Sequence, residues 1–281
     1  MQISPVATAF LLTLLAGLAT GVGSAIALLS KRTTPRFLSL SLGFSAGVMI
    51  FVSLVELFID ARVHLSSLWG ERGGYWGAIG GFFGGMALIA AIDRLVPPAV
   101  NPHEARAREA AAHEAVDSKA CDDSAAAIRG AKLLRTGMLT AVVVAAHNLP
   151  EGVATFFSSL QDTRLGITIA LAIAIHNIPE GIAISVPVYY ATGSRRRAFW
   201  YSFASGLSEP VGAIIGYLLL KPFLGGPIFG LILASVAGIM IYISLDELLP
   251  SAREFGESHL AMAGLAAGMG VMAISLALGT G

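Results

Sequence analysis

Charge is scarce in this 281-residue chain: Asp, Glu, Lys and Arg make up 13% of it, about half the share found in soluble domains. With 55% hydrophobic residues and a mean hydropathy of +0.75, that scarcity excludes an ordinary soluble globular protein. Neither sign of charge is in surplus, 18 basic residues facing 18 acidic ones, so nothing points to nucleic acid as a partner. A single cysteine, Cys121, excludes an internal disulfide framework. No HExxH helix is present either, which removes the commonest zinc-hydrolase signature. Glycine, by contrast, is plentiful at 32 residues with no collagen or linker period, which in so apolar a chain suits close helix packing in lipid.

Long apolar runs take the place of the missing charge. A bilayer core of about 30 Å needs roughly 20 apolar residues in helix. Eight stretches meet that length: Thr8 to Leu29, Leu38 to Ile59, Tyr75 to Val96, Thr136 to Leu160, Leu165 to Tyr189, Ala198 to Leu220, Pro227 to Leu249 and Leu260 to Leu278. The expectation is an all-α membrane protein, residues 1–281 forming one transmembrane domain of eight helices. No Lys or Arg precedes the first span, whereas Lys31, Arg32 and Arg36 follow it, so it reads as a retained helix and not as a signal peptide. Of the 18 Lys and Arg residues, all but Arg62, Arg72, Arg164 and Lys221 fall in or beside alternate loops. The positive-inside rule then places both termini outside and the longest loop, about Pro97 to Lys132, in the cytoplasm. That loop carries His103, His113 and Cys121, whose side-chain types ligate transition metals, but their scattered spacing favours a solvated linker.

Two nearly identical hexapeptides lie mid-span in adjacent helices: His147-Asn148-Leu149-Pro150-Glu151-Gly152 and His176-Asn177-Ile178-Pro179-Glu180-Gly181. In each, His and Glu are four apart and share one helical face, with Asn three from the Glu. Each Pro removes a main-chain N–H and frees the carbonyl four residues back, that of Ala146 or Ile175. The two helices cross in opposite directions, so the copies form an inverted repeat of the kind that builds a midplane transport site. Glu209, just before Pro210, adds a third mid-span carboxylate. Each charge at the bilayer centre costs about 2.5 kcal/mol or more, so three glutamates beside imidazoles and amides imply a shared cation. The mixed N/O set suits Zn²⁺ best, then Fe²⁺, Mn²⁺ or Cd²⁺, with Glu151 and Glu180 placed to bridge two ions.

Glu56 toward the external end of the second span, and Asp246 with Glu247 near the cytoplasmic end of the seventh, are candidates for the route in and out. Gly77, Gly81 and Gly85 in the third span, and Gly264 with Gly268 in the eighth, read as packing or homodimer contacts.

The paired His-Asn-x-Pro-Glu-Gly motifs, Glu209-Pro210 and the eight-span layout with a long third loop together resemble the bacterial branch of the ZIP (Zrt-/Irt-like) divalent metal transporters, across essentially the whole chain. The resemblance implies inverted repeats of helices 1–3 and 6–8 around helices 4–5. It also implies a plasma-membrane importer of Zn²⁺ and other divalent metals with no catalytic cofactor. By the same resemblance, His147, Glu151, His176 and Glu180 would ligate one metal. Asn148, Glu151, Asn177, Glu180 and Glu209 would ligate a second, and Glu247, with Asp246 beside it, would serve release. Alternating access is the expected mechanism, with metal binding displacing protons so that affinity falls at acidic pH. The rival from a different class is an intramembrane zinc-dependent hydrolase with one ion and an activated water. A channel or receptor of similar topology is a third reading.

Overall fold

The structure is a computed structural model that describes residues 4–29, 34–95, 122–220, 226–255 and 258–279. No strand occurs among the described residues. The elements are α1 (Pro5–Leu29), α2 (Pro35–Val52), a π turn (Ser53–Leu57), α3 (Phe58–Leu95), α4 (Asp122–Gln161), α5 (Thr163–Thr192), α6 (Arg195–Gly206), α7 (Ser208–Leu220), α8 (Pro227–Ile243), a second π turn (Ser244–Leu248), α9 (Leu249–Phe255) and α10 (Ser258–Gly279). Local chemistry sets several of these boundaries. Thr34 caps α2, its hydroxyl accepting from the Phe37 N–H, and Pro35 follows at a position where its missing N–H costs nothing. Asp162 caps α5 through bonds from the Arg164 and Leu165 N–H groups, and Gly193 ends that helix in the left-handed region.

The sequence boundaries need three revisions. The helix of the second span runs on beyond Ile59 and turns only at Gly70, where φ is 75°, before α3 resumes. The segment expected to be a loop is therefore mostly helical. α4 starts at Asp122, well before Thr136. The sixth span, expected to be continuous from Ala198 to Leu220, is interrupted at Leu207, because Pro210 has no N–H to offer Gly206.

Among the described residues, five helical stretches are long and apolar enough to cross a membrane: Pro5–Leu29, Arg36–Ile92, Thr163–Thr192, Pro227–Arg253 and Ser258–Ala277. Apolar side chains fill the core, as Met49, Phe156, Phe157 and Met240 do, and also cover the outside, so outward faces are not polar as in a soluble protein. Leu15, Ile26, Trp76, Phe83, Leu218, Leu219 and Ile274 face outward, while Thr13, Thr20, Ser24, Ser45, Asn148, Glu151, His176, Glu180 and Glu209 are inside. With lipid outside, helices leave no main-chain polar group unpaired, so polar side chains gather where they can pair with one another.

Packing sorts the helices into two sets. α1, α4, α5, α6 and α7 pack mainly on one another, as do α2, α3, α8 and α10, while α2 against α5 is the principal contact between the sets. Glycines make the second set tight. A Cβ on Gly43 or Gly47 would strike the Ala261 or Leu265 carbonyl of α10, and Gly264 and Gly268 answer against the Leu40 and Phe44 carbonyls of α2. Gly81 and Gly85 meet α8 in the same way, whereas Gly77 lies against Trp69 and Leu65 of its own hairpin. The glycines singled out in the third and eighth spans are thus used within one chain.

Candidate metal-binding site

α4 and α5 turn back on each other at Asp162, which brings the two hexapeptides side by side. Both helices continue through Pro150 and Pro179. His176 Nε2 lies 3.3 Å from Glu151 Oε2 across the hairpin and 4.0 Å from Glu180 Oε1 on its own helix. All three side chains are buried. The asparagines use their amide nitrogens to hold neighbouring helices: Asn148 Nδ2 donates to the Ser205 carbonyl at 3.3 Å, and Asn177 Nδ2 donates to the Ala16 carbonyl at 2.9 Å and to the Glu209 carboxylate. Glu209 sits in the first turn of α7, immediately after the break at Leu207. The interruption that Pro210 creates thus presents a carboxylate from the N-terminus of a half-helix, the end where negative charge is most stable.

Four buried oxygens of this group, Asn148 Oδ1, Glu151 Oε1, Asn177 Oδ1 and Glu209 Oε2, have no hydrogen-bond partner among the described residues. An unpaired buried acceptor costs about 1–3 kcal/mol, so a set made wholly of acceptors is matched to a cation. No three His, Cys, Asp or Glu side chains among the described residues already stand as a formed metal cluster, and His176 bridges two carboxylates instead. His147 belongs to α4, but its side chain lies outside the described residues, as do His103, His113 and Cys121.

The two hexapeptides are docked by matched contacts. Gly152 packs on the Glu209 carbonyl and Gly181 on the Thr20 carbonyl, while the Leu149 carbonyl meets Gly212 and the Ile178 carbonyl meets Gly23. Where α1 crosses α6, Gly17 packs on the Gly206 carbonyl and Gly206 on the Gly17 carbonyl. The first copy therefore rests on α6–α7 and the second on α1 through the same contacts in the same order.

Glu56 lies on the first π turn, Asp246 and Glu247 on the second, and all three are half-buried. The π turns are spelled Ser53-Leu54-Val55-Glu56-Leu57 and Ser244-Leu245-Asp246-Glu247-Leu248, and each packs against the helix that leads into the other. Sequence reasoning missed this pairing, although the shared Ser-Leu-x-Glu-Leu spelling was there to find. π turns gather at functional positions because the extra residue re-aims a side chain.

The family model described as ZIP zinc transporter matches residues 98–276. The chain belongs to the ZIP zinc transporter family. Similarity to individual members extends beyond the matched region toward the N-terminus. This ZIP chain is 55% identical to the zinc transporter ZupT of Clostridium perfringens, over 96% of this chain and 95% of that protein. It is 54% identical to ZupT of Oceanobacillus iheyensis and 53% identical to ZupT of Streptococcus mutans, in each case over 96% of this chain and 97% of the relative. ZIP proteins are transporters and not enzymes, and the matches lend the hydrolase alternative no support.

Proposed function

We propose that this ZIP chain carries Zn²⁺, and with it Fe²⁺, Mn²⁺ or Cd²⁺, across the bacterial plasma membrane into the cytoplasm through a site for two ions. One observation carries the reading: His176, Glu151, Glu180 and Glu209 are buried together with two asparagines, and acceptor oxygens of the group have no partner among the described residues. His147, Glu151, His176 and Glu180 hold one ion. Asn148, Glu151, Asn177, Glu180 and Glu209 hold the other, with Asp246 and Glu247 receiving the ion on the cytoplasmic side. The chain crosses the membrane eight times with both termini outside. The Gly70 turn supports two crossings within Arg36–Ile92, since 57 residues of helix are well over twice the roughly 20 that one crossing takes. The reciprocal glycine contacts support inverted repeats of the first three and last three spans around α4 and α5.

Access alternates as α1 and α4–α7 shift against α2, α3 and α8–α10, the two sets that packing distinguishes. Lipid covers the outward apolar faces, and any homodimer would have to form there, since the glycine pairs are used within the chain. The test is uptake of radioactive Zn²⁺ into oriented, metal-free proteoliposomes. Saturable uptake that disappears in His176→Ala and Glu180→Ala is the expected result. Uptake at wild-type rate in both variants would remove these residues from the pathway.

A further inference from the structure

The matched docking of the two hexapeptides extends to the sequence of their partners. Ala16-Gly17-Leu18-Ala19-Thr20 on α1 stands opposite Ser205-Gly206-Leu207-Ser208-Glu209 at the junction of α6 and α7. The Ala16 carbonyl receives Asn177 as the Ser205 carbonyl receives Asn148. Gly17 and Gly206 pack on each other's carbonyls, and the main-chain oxygens of Thr20 and Glu209 receive Gly181 and Gly152. A Cβ on Gly17 would meet Glu209 Cβ at 3.4 Å, and one on Gly206 would meet Thr20 Cβ at 2.8 Å. In every one of these relations Thr20 occupies the place that Glu209 occupies in the other half.

Chemistry is what separates the two positions. Glu209 reaches the asparagine of the second hexapeptide and keeps one oxygen without a partner. Thr20 is fully buried, and its hydroxyl oxygen has no hydrogen-bond partner among the described residues. Asn148, whose amide nitrogen is held by the Ser205 carbonyl next to Gly206, also keeps an unpartnered Oδ1 among the described residues. Valine has nearly the same shape as threonine and would leave no buried polar atom unsatisfied at this position.

Building on the transport reading above, we propose that Thr20 is a specificity-determining residue of the metal site, the neutral counterpart of Glu209. Its hydroxyl lies against Gly206, next to the Ser205 carbonyl that holds Asn148 of the first hexapeptide, and supplies there an uncharged oxygen, able both to donate and to accept, that binds the hydrated divalent cation directly or through a cation-bound water. The site is then asymmetric in charge although its frame is repeated. One half offers a carboxylate and the other a hydroxyl, which disfavours ions that demand an all-carboxylate shell.

The test uses the full chain in proteoliposomes, with Zn²⁺ uptake measured alone and in competition with Mn²⁺ or Cd²⁺, for wild type, Thr20→Val, Thr20→Ser and Glu209→Gln. Thr20→Val is expected to raise the KM for Zn²⁺ about three- to tenfold, the worth of one hydrogen bond, and to shift the competition ratio. Its Vmax should stay at the wild-type value and its melting temperature should not fall, and the KM of Thr20→Ser should stay within about twofold of wild type. Wild-type KM and competition in Thr20→Val would overturn the proposal. So would a fall in Vmax and melting temperature at constant KM, or a Thr20→Ser variant as impaired as Thr20→Val. A silent Thr20→Val beside an inactive Glu209→Gln sinks the role of Thr20 alone, whereas a silent Glu209→Gln sinks the transport-site reading on which it rests.

Discussion

The two hexapeptides differ in sequence at one residue, Leu149 against Ile178, yet they sit in different surroundings. The second copy rests on α1, its Asn177 is tied to both the Ala16 carbonyl and Glu209, and its His176 reaches across to Glu151. The first copy rests on α6–α7, and its Asn148 is tied to the Ser205 carbonyl. The glycine contacts that dock the copies are nearly interchangeable, while the side chains around them are not. Main-chain geometry repeats because a glycine against a carbonyl asks only for the absence of a Cβ. Ligand chemistry is free to diverge on that frame.

The largest expected effect comes from removing the element that both copies share. Glu209→Gln should lower Zn²⁺ uptake by at least about tenfold, since it removes a carboxylate from the ion and alters the acceptor of Asn177, and proteoliposome uptake reads the loss. Next comes pH. Imidazoles must be neutral and carboxylates ionised to hold a metal, so the affinity for Zn²⁺ should fall about tenfold or more as pH drops from about 7.5 to about 5.5, through the ordinary His range. Equilibrium binding of Zn²⁺ to purified protein at several pH values checks this, and a flat profile would contradict it.

Docking should be equal where ligation is not. Gly152→Ala and Gly181→Ala each push a methyl against a main-chain carbonyl and should destabilise by a similar amount, roughly 1–3 kcal/mol, as read from melting in detergent. A large difference between them would break the equivalence of the two copies. The asparagines give the finest discrimination. Asn177→Ala should cost more stability than Asn148→Ala by about 1 kcal/mol, because it strands a buried carboxylate as well as a carbonyl, and parallel melting curves would show the order.

Much of this was legible in the amino-acid order. Ionised and amide side chains in long apolar runs carry a cost that only pairing or a cation offsets, so Glu151, Glu180, Glu209, His176, Asn148 and Asn177 stood out without coordinates, and the structure gathers them in one buried group. The helix interruptions were harder to see. Gly70 is one glycine among many, and only chain reversal reveals its positive φ. The break at Leu207 hid behind Pro210, because Pro150 and Pro179, also adjacent to a glutamate, leave their helices continuous. The π turns escaped because an extra residue in a helical turn has no hydrophobic period of its own.

The sequence by itself determined that the chain is helical, lipid-facing and built around paired His-Asn-x-Pro-Glu-Gly motifs, because apolar run length and the cost of buried charge are local properties. Only the tertiary structure decided which carbonyl each asparagine and glycine would meet, and with them the pairing of Thr20 and Glu209. Such contacts join residues far apart in the chain, and close packing fixes them only when whole helices have found their partners.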